Sequence, residues 1–182
     1  MIFANKVKQL FAKKKSKNAL SIALGSSSVS YCYYPDGGVA AINQLNVVNE
    51  NYQESLKALH HIDDLSAECE LVLPATHYQI VQVDKPSVPE SELNAALKWQ
   101  VKELVTIPPN DMILDYFDGP TLSGTAKLNV VCAQMSVIKP LVDTLHKGDI
   151  SLSKITTEEF AFVELLKSAP GANLLVCQQP NE

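Results

Sequence analysis

Runs with the two-residue period of β-strands alternate with runs of helical period along this chain, and their order limits the possible folds more than any other feature. Residues 19–47 are predicted to form three short strands, with tight turns at Gly25–Ser27 and Pro35–Gly38. The whole order is β-β-β-α-β, then β-α-β-β-α, then β-α-β. Strands and helices mixed in this way predict an α/β or α+β fold.

The middle block, residues 76–149, is predicted to be a small sheet with its own helix, inserted between the two halves of another layer. Ser87 and Glu90 have the spacing of a capping box at the start of the first helix of this block. Ser136 is predicted to cap the second helix, which is expected to end at Gly148.

The charge distribution disfavours specific nucleic-acid recognition. Residues 1–17 carry six lysines and no acid, whereas the other 165 residues carry nine lysines and twenty acids, a net charge of −11. The chain contains no arginine, so the basic charge is not spread over a folded face as nucleic-acid binding normally requires. No apolar run approaches the roughly 20 residues of a spanning helix.

The basic leader, residues 1–17, has apolar side chains at helical spacing among its lysines. One interpretation is a short interfacial helix on an anionic membrane. The other is a basic segment that packs on its own domain or on nothing. The candidate membrane residues are Phe3, Val7, Leu10, Phe11, Lys13, Lys14 and Lys15.

Cysteine and histidine spacing predicts no metal site. The four cysteines are far apart and lie in strand-like apolar runs, which is typical of buried reduced thiols in a cytosolic protein. His60 and His61 are adjacent, so on a helix they point about 100° apart, and no third ligand is near in sequence.

Several motifs, in order, resemble the PilM-like type IV pilus assembly family of the actin-like ATPase superfamily, which is related to FtsA. Residues 23–28 match a family turn of the form Asp-x-Gly-Ser-Ser-Ser, with Ala23 in place of the aspartate. The match covers roughly residues 19–178. The other matching segments are VQVDKPSVPESEL, ALKWQVKELVTIPP, MILDYFD, VVCAQMSVIKPLVDTL and ITTEEFAFVELL.

The resemblance implies an α/β fold that is the N-terminal half of an actin-like (ribonuclease H-like) fold. Residues 19–75 plus 150–182 would form subdomain IA, and residues 76–149 would form a strand-helix-strand-strand subdomain like IC, after the leader of residues 1–17. It also implies that a second half would follow in the complete fold.

In this family the turn would hold nucleotide phosphates, and the aspartate would help position the metal. Gly25, Ser26, Ser27 and Ser28 are therefore interpreted as a vestigial phosphate turn, since Ala23 supplies no oxygen. No catalytic residue is predicted and no cofactor is expected for this chain, although ATP and magnesium could bind a full-length protein. Gly and Ser also dominate ordinary hairpins, which is the structural alternative.

The resemblance implies a non-catalytic scaffold in the cytoplasm, at the inner face of the inner membrane. Its expected partner is the N-terminal tail of a PilN-like inner-membrane protein, held in a groove between the two subdomains. Tyr78, Trp99 and Tyr116 are the candidate partner-binding aromatics. The alternatives are one half of an active actin-like ATPase and a peripheral membrane-binding module.

Overall fold

The computed structural model describes residues 17–47, 51–61, 66–119, 121, 124–163, 166 and 176. Within these residues, the strands form two sheets, one of five strands and one of three. The mixture of strands and helices confirms the predicted α/β class.

The larger sheet combines a meander with two parallel strands. Its order is β3-β2-β1-β4-β8, in which β1–β2 and β2–β3 are antiparallel and β1–β4 and β4–β8 are parallel. The tight turns at both predicted positions explain the antiparallel pairs. The strands are β1 (Ala19–Leu24), β2 (Ser28–Tyr34), β3 (Ala41–Asn46), β4 (Glu68–Leu73) and β8 (Ser151–Thr157).

The smaller sheet is antiparallel, with the order β5-β7-β6. It contains β5 (Tyr78–Asp84), β6 (Met112–Asp118) and β7 (Lys127–Gln134). Helix α2 (Glu90–Val101) packs on one face of this sheet, because alternate strand residues point toward it. The core of this layer consists of Val83, Leu93, Leu97, Val101, Ile107, Met112, Leu128, Val130 and Cys132.

Two further helices cover one face of the larger sheet. They are α1 (Tyr52–Ala58), extended by a 3₁₀ turn over Leu59–His61, and α3 (Met135–Lys147). A short helix, α4 (Glu158–Val163), follows β8. Buried side chains of α1, α3 and the sheet form the larger core, with Leu20, Ile22, Leu24, Leu56, Leu71, Leu73, Ile138, Leu141, Leu145 and Ile155 among its members.

The face of the smaller sheet that points away from α2 joins the larger core. Four of its side chains are buried there, and Phe117 meets Phe160 of α4 edge to face, with 4.9 Å between ring centroids. Helix α3, which the sequence grouped with the middle block, also packs its buried side chains into the larger core. The two sheets therefore contribute side chains to the same hydrophobic core. The four residues are Tyr78, Ile113, Val131 and Ala133.

Both predicted side-chain caps are wrong. Helix α2 begins at Glu90 after Pro89, which has extended ψ (150°), and no side chain caps it. The residue before a proline avoids helical backbone, so the helix does not extend back through Val88, and Ser87 lies too far from its first turn to cap it. Helix α3 begins at Met135, and Ser136 lies inside its first turn.

Asp111, which lies just before β6, caps α3 instead. Its Oδ1 accepts a hydrogen bond from the Ser136 N–H (2.8 Å), and its Oδ2 accepts one from the Ser136 hydroxyl (2.5 Å). The Met135 N–H donates to the Asp111 carbonyl at 2.7 Å. These bonds from Ser136 lower the pKa of Asp111. The contact ties the start of α3 to the segment that leads into the smaller sheet.

Helix α3 ends at Gly148, as predicted. The close approach of another side chain explains why this residue is glycine. His60 Nε2 lies 2.9 Å from the Thr144 carbonyl oxygen, so the imidazole covers the last turn of the helix. A Cβ at Gly148 would lie 2.5 Å from His60 Nε2 and still closer to Cδ2. The next residue, Asp149, adopts the left-handed conformation (φ 59°).

Candidate functional site

The Gly-Ser turn between β1 and β2 is closed by its own hydrogen bonds. The Gly25 N–H donates to the Ser28 carbonyl at 2.8 Å, and the Ser27 carbonyl accepts from the Val47 N–H at 2.9 Å. The Ser28 hydroxyl accepts from Gln44 Nε2 at 2.7 Å. The turn therefore uses the Gly25 donor internally, and that donor is not directed at a ligand.

Tyr52, which the sequence did not single out as a site residue, ties this turn to α1. Its hydroxyl donates to the Gly25 carbonyl at 2.9 Å, and the side chain is only 6% exposed. Its ring also meets His77 edge to face, with 5.2 Å between centroids. Tyr52 thus connects the turn to the residues that lead into the smaller sheet.

Ala23, which stands where the family turn has its aspartate, is exposed on the sheet face opposite α1 and α3. Its neighbours across the adjacent strands are Ser30 and Val72, so no carboxylate replaces the missing one in this register. Within the described ranges, no cluster of three His, Cys, Asp or Glu side chains is placed to hold a metal ion.

A cleft of about 380 Å³ opens where the two sheet units meet, and we call it the interlobe cleft. One wall is the start of α1, where Asn51 Oδ1 accepts from the Glu54 N–H at 3.2 Å. The other wall comes from the connections into and out of the smaller sheet. The lining residues are Asn51, Tyr52, Gln53, His77, Ser136, Val137 and Leu141.

The chemistry of the interlobe cleft suits a polypeptide segment. Gln53 is exposed and offers hydrogen bonds, and the exposed Ser136 hydroxyl, whose proton goes to Asp111, can still accept one. Val137 is half-buried and offers apolar surface, and the buried Leu141 also lines the cleft. Its described lining holds no carboxylate and no lysine. The volume is near the lower end for small-molecule pockets, and an extended segment would need only a few side chains inserted there.

The three candidate aromatics lie in different environments. Tyr78 is buried, and its hydroxyl donates to Glu159 Oε2 at 2.6 Å; burial and this bond raise its pKa. Tyr116 packs against the smaller core, and its hydroxyl donates to Glu90 at 3.3 Å. Trp99 is 70% exposed on α2. The structure does not gather the three into one groove, and their partner roles stay predictions.

The membrane-binding prediction for the basic leader concerns residues 1–16, which lie outside the described residues, together with Lys17. Lys17 pairs with Asp36 at 3.3 Å. None of the described helices is long and apolar enough to cross a membrane.

No protein-family model and no curated protein matches this sequence. Solved structures do match, and the three described below are each 14% identical to this chain. The cytoplasmic domain of EpsL, an inner-membrane component of the type II secretion system of Vibrio cholerae, gives a TM-score of 0.60 over 77% of this chain and 57% of that one. A chain of the PilM–PilN type IV pilus biogenesis complex gives 0.62 over 80% and 49%.

A Bacteroides thetaiotaomicron protein with an actin-like ATPase fold and unknown function gives a TM-score of 0.50 over 82% of this chain and 55% of that one. The chain therefore spans about half the length of these structures. At this identity the likeness shows the fold alone. The described residues have the architecture of part of an actin-like fold, similar to a chain of the PilM–PilN complex and to the EpsL cytoplasmic domain.

Proposed function

We propose that this chain is a non-catalytic scaffold of a type IV pilus assembly machine of the mannose-sensitive haemagglutinin (MshI) type. It would act in the cytoplasm at the inner face of the inner membrane. Its partner would be the N-terminal cytoplasmic tail of a PilN-like membrane protein. The fold similarity to a chain of the PilM–PilN complex and to the EpsL cytoplasmic domain supports this assignment.

The interlobe cleft is the observation that carries the proposal. It is formed jointly by α1 of the larger unit and by the connections of the smaller one, so a bound tail would contact both. Tyr52 and the Asp111 cap fix its walls through hydrogen bonds at 2.9 Å and 2.8 Å. Because the walls are already ordered, binding does not have to pay the entropic cost of ordering them.

A second candidate is one half of an active actin-like ATPase, favoured by the similarity to the Bacteroides protein. Against it stand Ala23 and the internal use of the Gly25 donor. ATP and magnesium would then be cofactors of a longer protein. The two functions are separated by measuring ATP hydrolysis by a protein that extends past residue 182. Hydrolysis is expected of the ATPase and not of the scaffold. A third candidate, a peripheral membrane module, depends on the basic leader.

The test is calorimetry with a synthetic peptide of the cytoplasmic N-terminal tail of a PilN-like membrane protein from the same organism. Val137→Arg places a long charged side chain in the cleft and should weaken binding at least tenfold, or about 1.4 kcal/mol. Gln53→Arg, at an exposed position of the same cleft, should do the same without disturbing the core.

The matched control is Val39→Arg, the same change at a residue 89% exposed in the β2–β3 turn, at the opposite end of β1 from Gly25. It should leave affinity unchanged. Equal losses in the cleft variants and in this control, or no binding by the wild-type chain, contradict the proposal. Melting temperatures of all variants confirm that the fold is retained.

A further inference from the structure

Helix α2 has an apolar groove on its solvent side that neither core explains. Trp99, the only tryptophan of the chain, is 70% exposed there. Ala95, Lys98, Trp99 and Lys102 follow the i, i+3, i+4, i+7 spacing of one helical stripe. A large exposed aromatic costs hydrophobic free energy in an isolated protein, and tryptophan is enriched at the centres of protein interfaces.

The stripe forms one wall of a groove of about 390 Å³, and Pro109, from the segment between α2 and β6, forms the other. Lys98 Nζ donates to the Met112 carbonyl at 3.2 Å, which ties this wall to β6. Lys102 Nζ lies 4.0 Å from the centre of the Trp99 ring. The groove therefore joins α2 to β6 and presents the Trp99 ring, with Lys102 beside it, to solvent.

The described lining of this groove is basic, whereas residues 18–182 as a whole are acidic. Lys98 and Lys102 flank Trp99, and the described lining holds no acid. Glu103, which lies 3.8 Å from Lys102, is 81% exposed and outside that lining. Residues 18–182 carry a net charge of −11, so a local pair of cations beside an apolar floor selects a ligand that is both acidic and apolar.

We propose that the groove along Ala95–Lys102 is a second docking surface, and that its occupant is an acidic segment of another protein with aromatic or aliphatic side chains between its carboxylates. The apolar side chains would pack on Trp99 and Pro109, while the carboxylates would face Lys98 and Lys102. This surface is on the face of the smaller sheet that points away from the larger core, so it is separate from the interlobe cleft.

Trp99 is itself the probe, because it is the only tryptophan. The experiment titrates the full chain with the peptide Asp-Phe-Asp-Leu-Asp-Phe and follows the tryptophan emission. We expect a saturable shift to shorter wavelength as water leaves the indole. Two matched peptides, one with Lys for every Asp and one with Ser for every Phe and Leu, should each bind at least tenfold more weakly.

Variants locate the site. Lys102→Glu should lower the affinity for the acidic peptide about tenfold and remove much of its salt dependence. Lys85→Glu is the matched control, because Lys85 is exposed, pairs with Asp118 and lies outside the groove; it should bind like the wild type. Trp99→Ala, followed by calorimetry, should abolish measurable binding while the melting temperature stays within a few degrees of the wild type.

The proposal is overturned if the three peptides bind equally, if Lys85→Glu and Lys102→Glu lose affinity alike, or if no saturable emission change occurs. It is also overturned if sedimentation shows that the chain dimerises and Trp99→Ala makes it monomeric, because a second copy would then occupy the groove. The cleft is tested separately, by the affinity of Val137→Arg for the membrane-protein tail. The two proposals therefore fail independently.

Discussion

Gly148 provides a direct test of how α1 is packed on α3. Its backbone angles (φ −93°, ψ 18°) are accessible to other residues, so conformational freedom does not require glycine here. The constraint is the imidazole of His60. A Cβ at this position would lie 2.5 Å from His60 Nε2 and 2.9 Å from Cγ, closer than real Cβ contacts allow.

Gly148→Ala therefore forces the His60 ring to move. The ring would lose its hydrogen bond to the Thr144 carbonyl, now 2.9 Å, at a net cost of about 0.5–1.5 kcal/mol. Overpacking adds a cost of about 1–3 kcal/mol. Replacing glycine by alanine also lowers the conformational entropy of the unfolded chain, which stabilises the folded state by about 0.4–1 kcal/mol. We expect a net destabilisation of about 2 kcal/mol.

The assay is urea denaturation of the wild type, Gly148→Ala, His60→Ala and the double variant. In the His60→Ala background the added methyl group meets no imidazole, so Gly148→Ala should be neutral or slightly stabilising. The coupling free energy between the two sites should then be about 2 kcal/mol, within the range found for residues in contact. If Gly148→Ala stabilises the wild type, or has the same effect in both backgrounds, the His60 contact is not the reason for glycine.

The remaining predictions concern the cap, the nucleotide site and the leader. Asp111→Ala should lower the free energy of unfolding at neutral pH by removing the cap on Ser136. Since the folded-state pKa of Asp111 is below its usual value, this contribution exists above that usual value and is lost as pH falls through the folded pKa, so urea curves of variant and wild type should converge in acid. Calorimetry with ATP and magnesium should show no binding tighter than about 1 mM, and Ala23→Asp alone should create no hydrolysis; micromolar affinity would reverse the vestigial assignment. Sedimentation with anionic vesicles should pull down the chain at low salt and much less at high salt, and Phe3→Glu with Phe11→Glu should stay in solution; equal sedimentation of a chain that starts at Asn18 would exclude the leader.

The strands were predictable because their signals are local. Alternation and turn chemistry placed β1, β2 and β3 around Gly25–Ser27 and Pro35–Gly38, close to their observed bounds. The small antiparallel sheet with one helix was also predicted. Its strand order was not, because β5 pairs with β7, from which α2 and β6 separate it in the sequence.

Capping was not predictable, since it depends on contacts between distant segments. Ser136 resembles an N-cap, yet Asp111 caps the helix from 25 positions earlier in the chain. The same applies to Tyr52, which reads as an ordinary apolar position of α1 until its hydroxyl meets the Gly25 carbonyl. No metal site was predicted at His60, and nothing in the residues around it indicated that its ring would contact Gly148.

The candidate site was likewise predictable only in part from the sequence. The sequence identified Gly25–Ser28 as a turn and Trp99 as an aromatic of interest, but it did not predict that Trp99 would be exposed. It could not show that Tyr78 is buried in the larger core. The interlobe cleft takes its residues from the start of α1, the turn before β5 and the first half of α3, so no local pattern contains it.

Hydrogen–deuterium exchange of the full chain, with and without the tail peptide of the PilN-like membrane protein, tests the central claim most directly. Backbone amides at Asn51–Gln53, around His77 and along Ser136–Leu141 should exchange more slowly in the complex, because the tail fills the cleft that these residues line. Amides along Ala95–Lys102 should not change. Protection confined to Ala95–Lys102 or to Gly25–Ser28, with none at the cleft, would contradict the account.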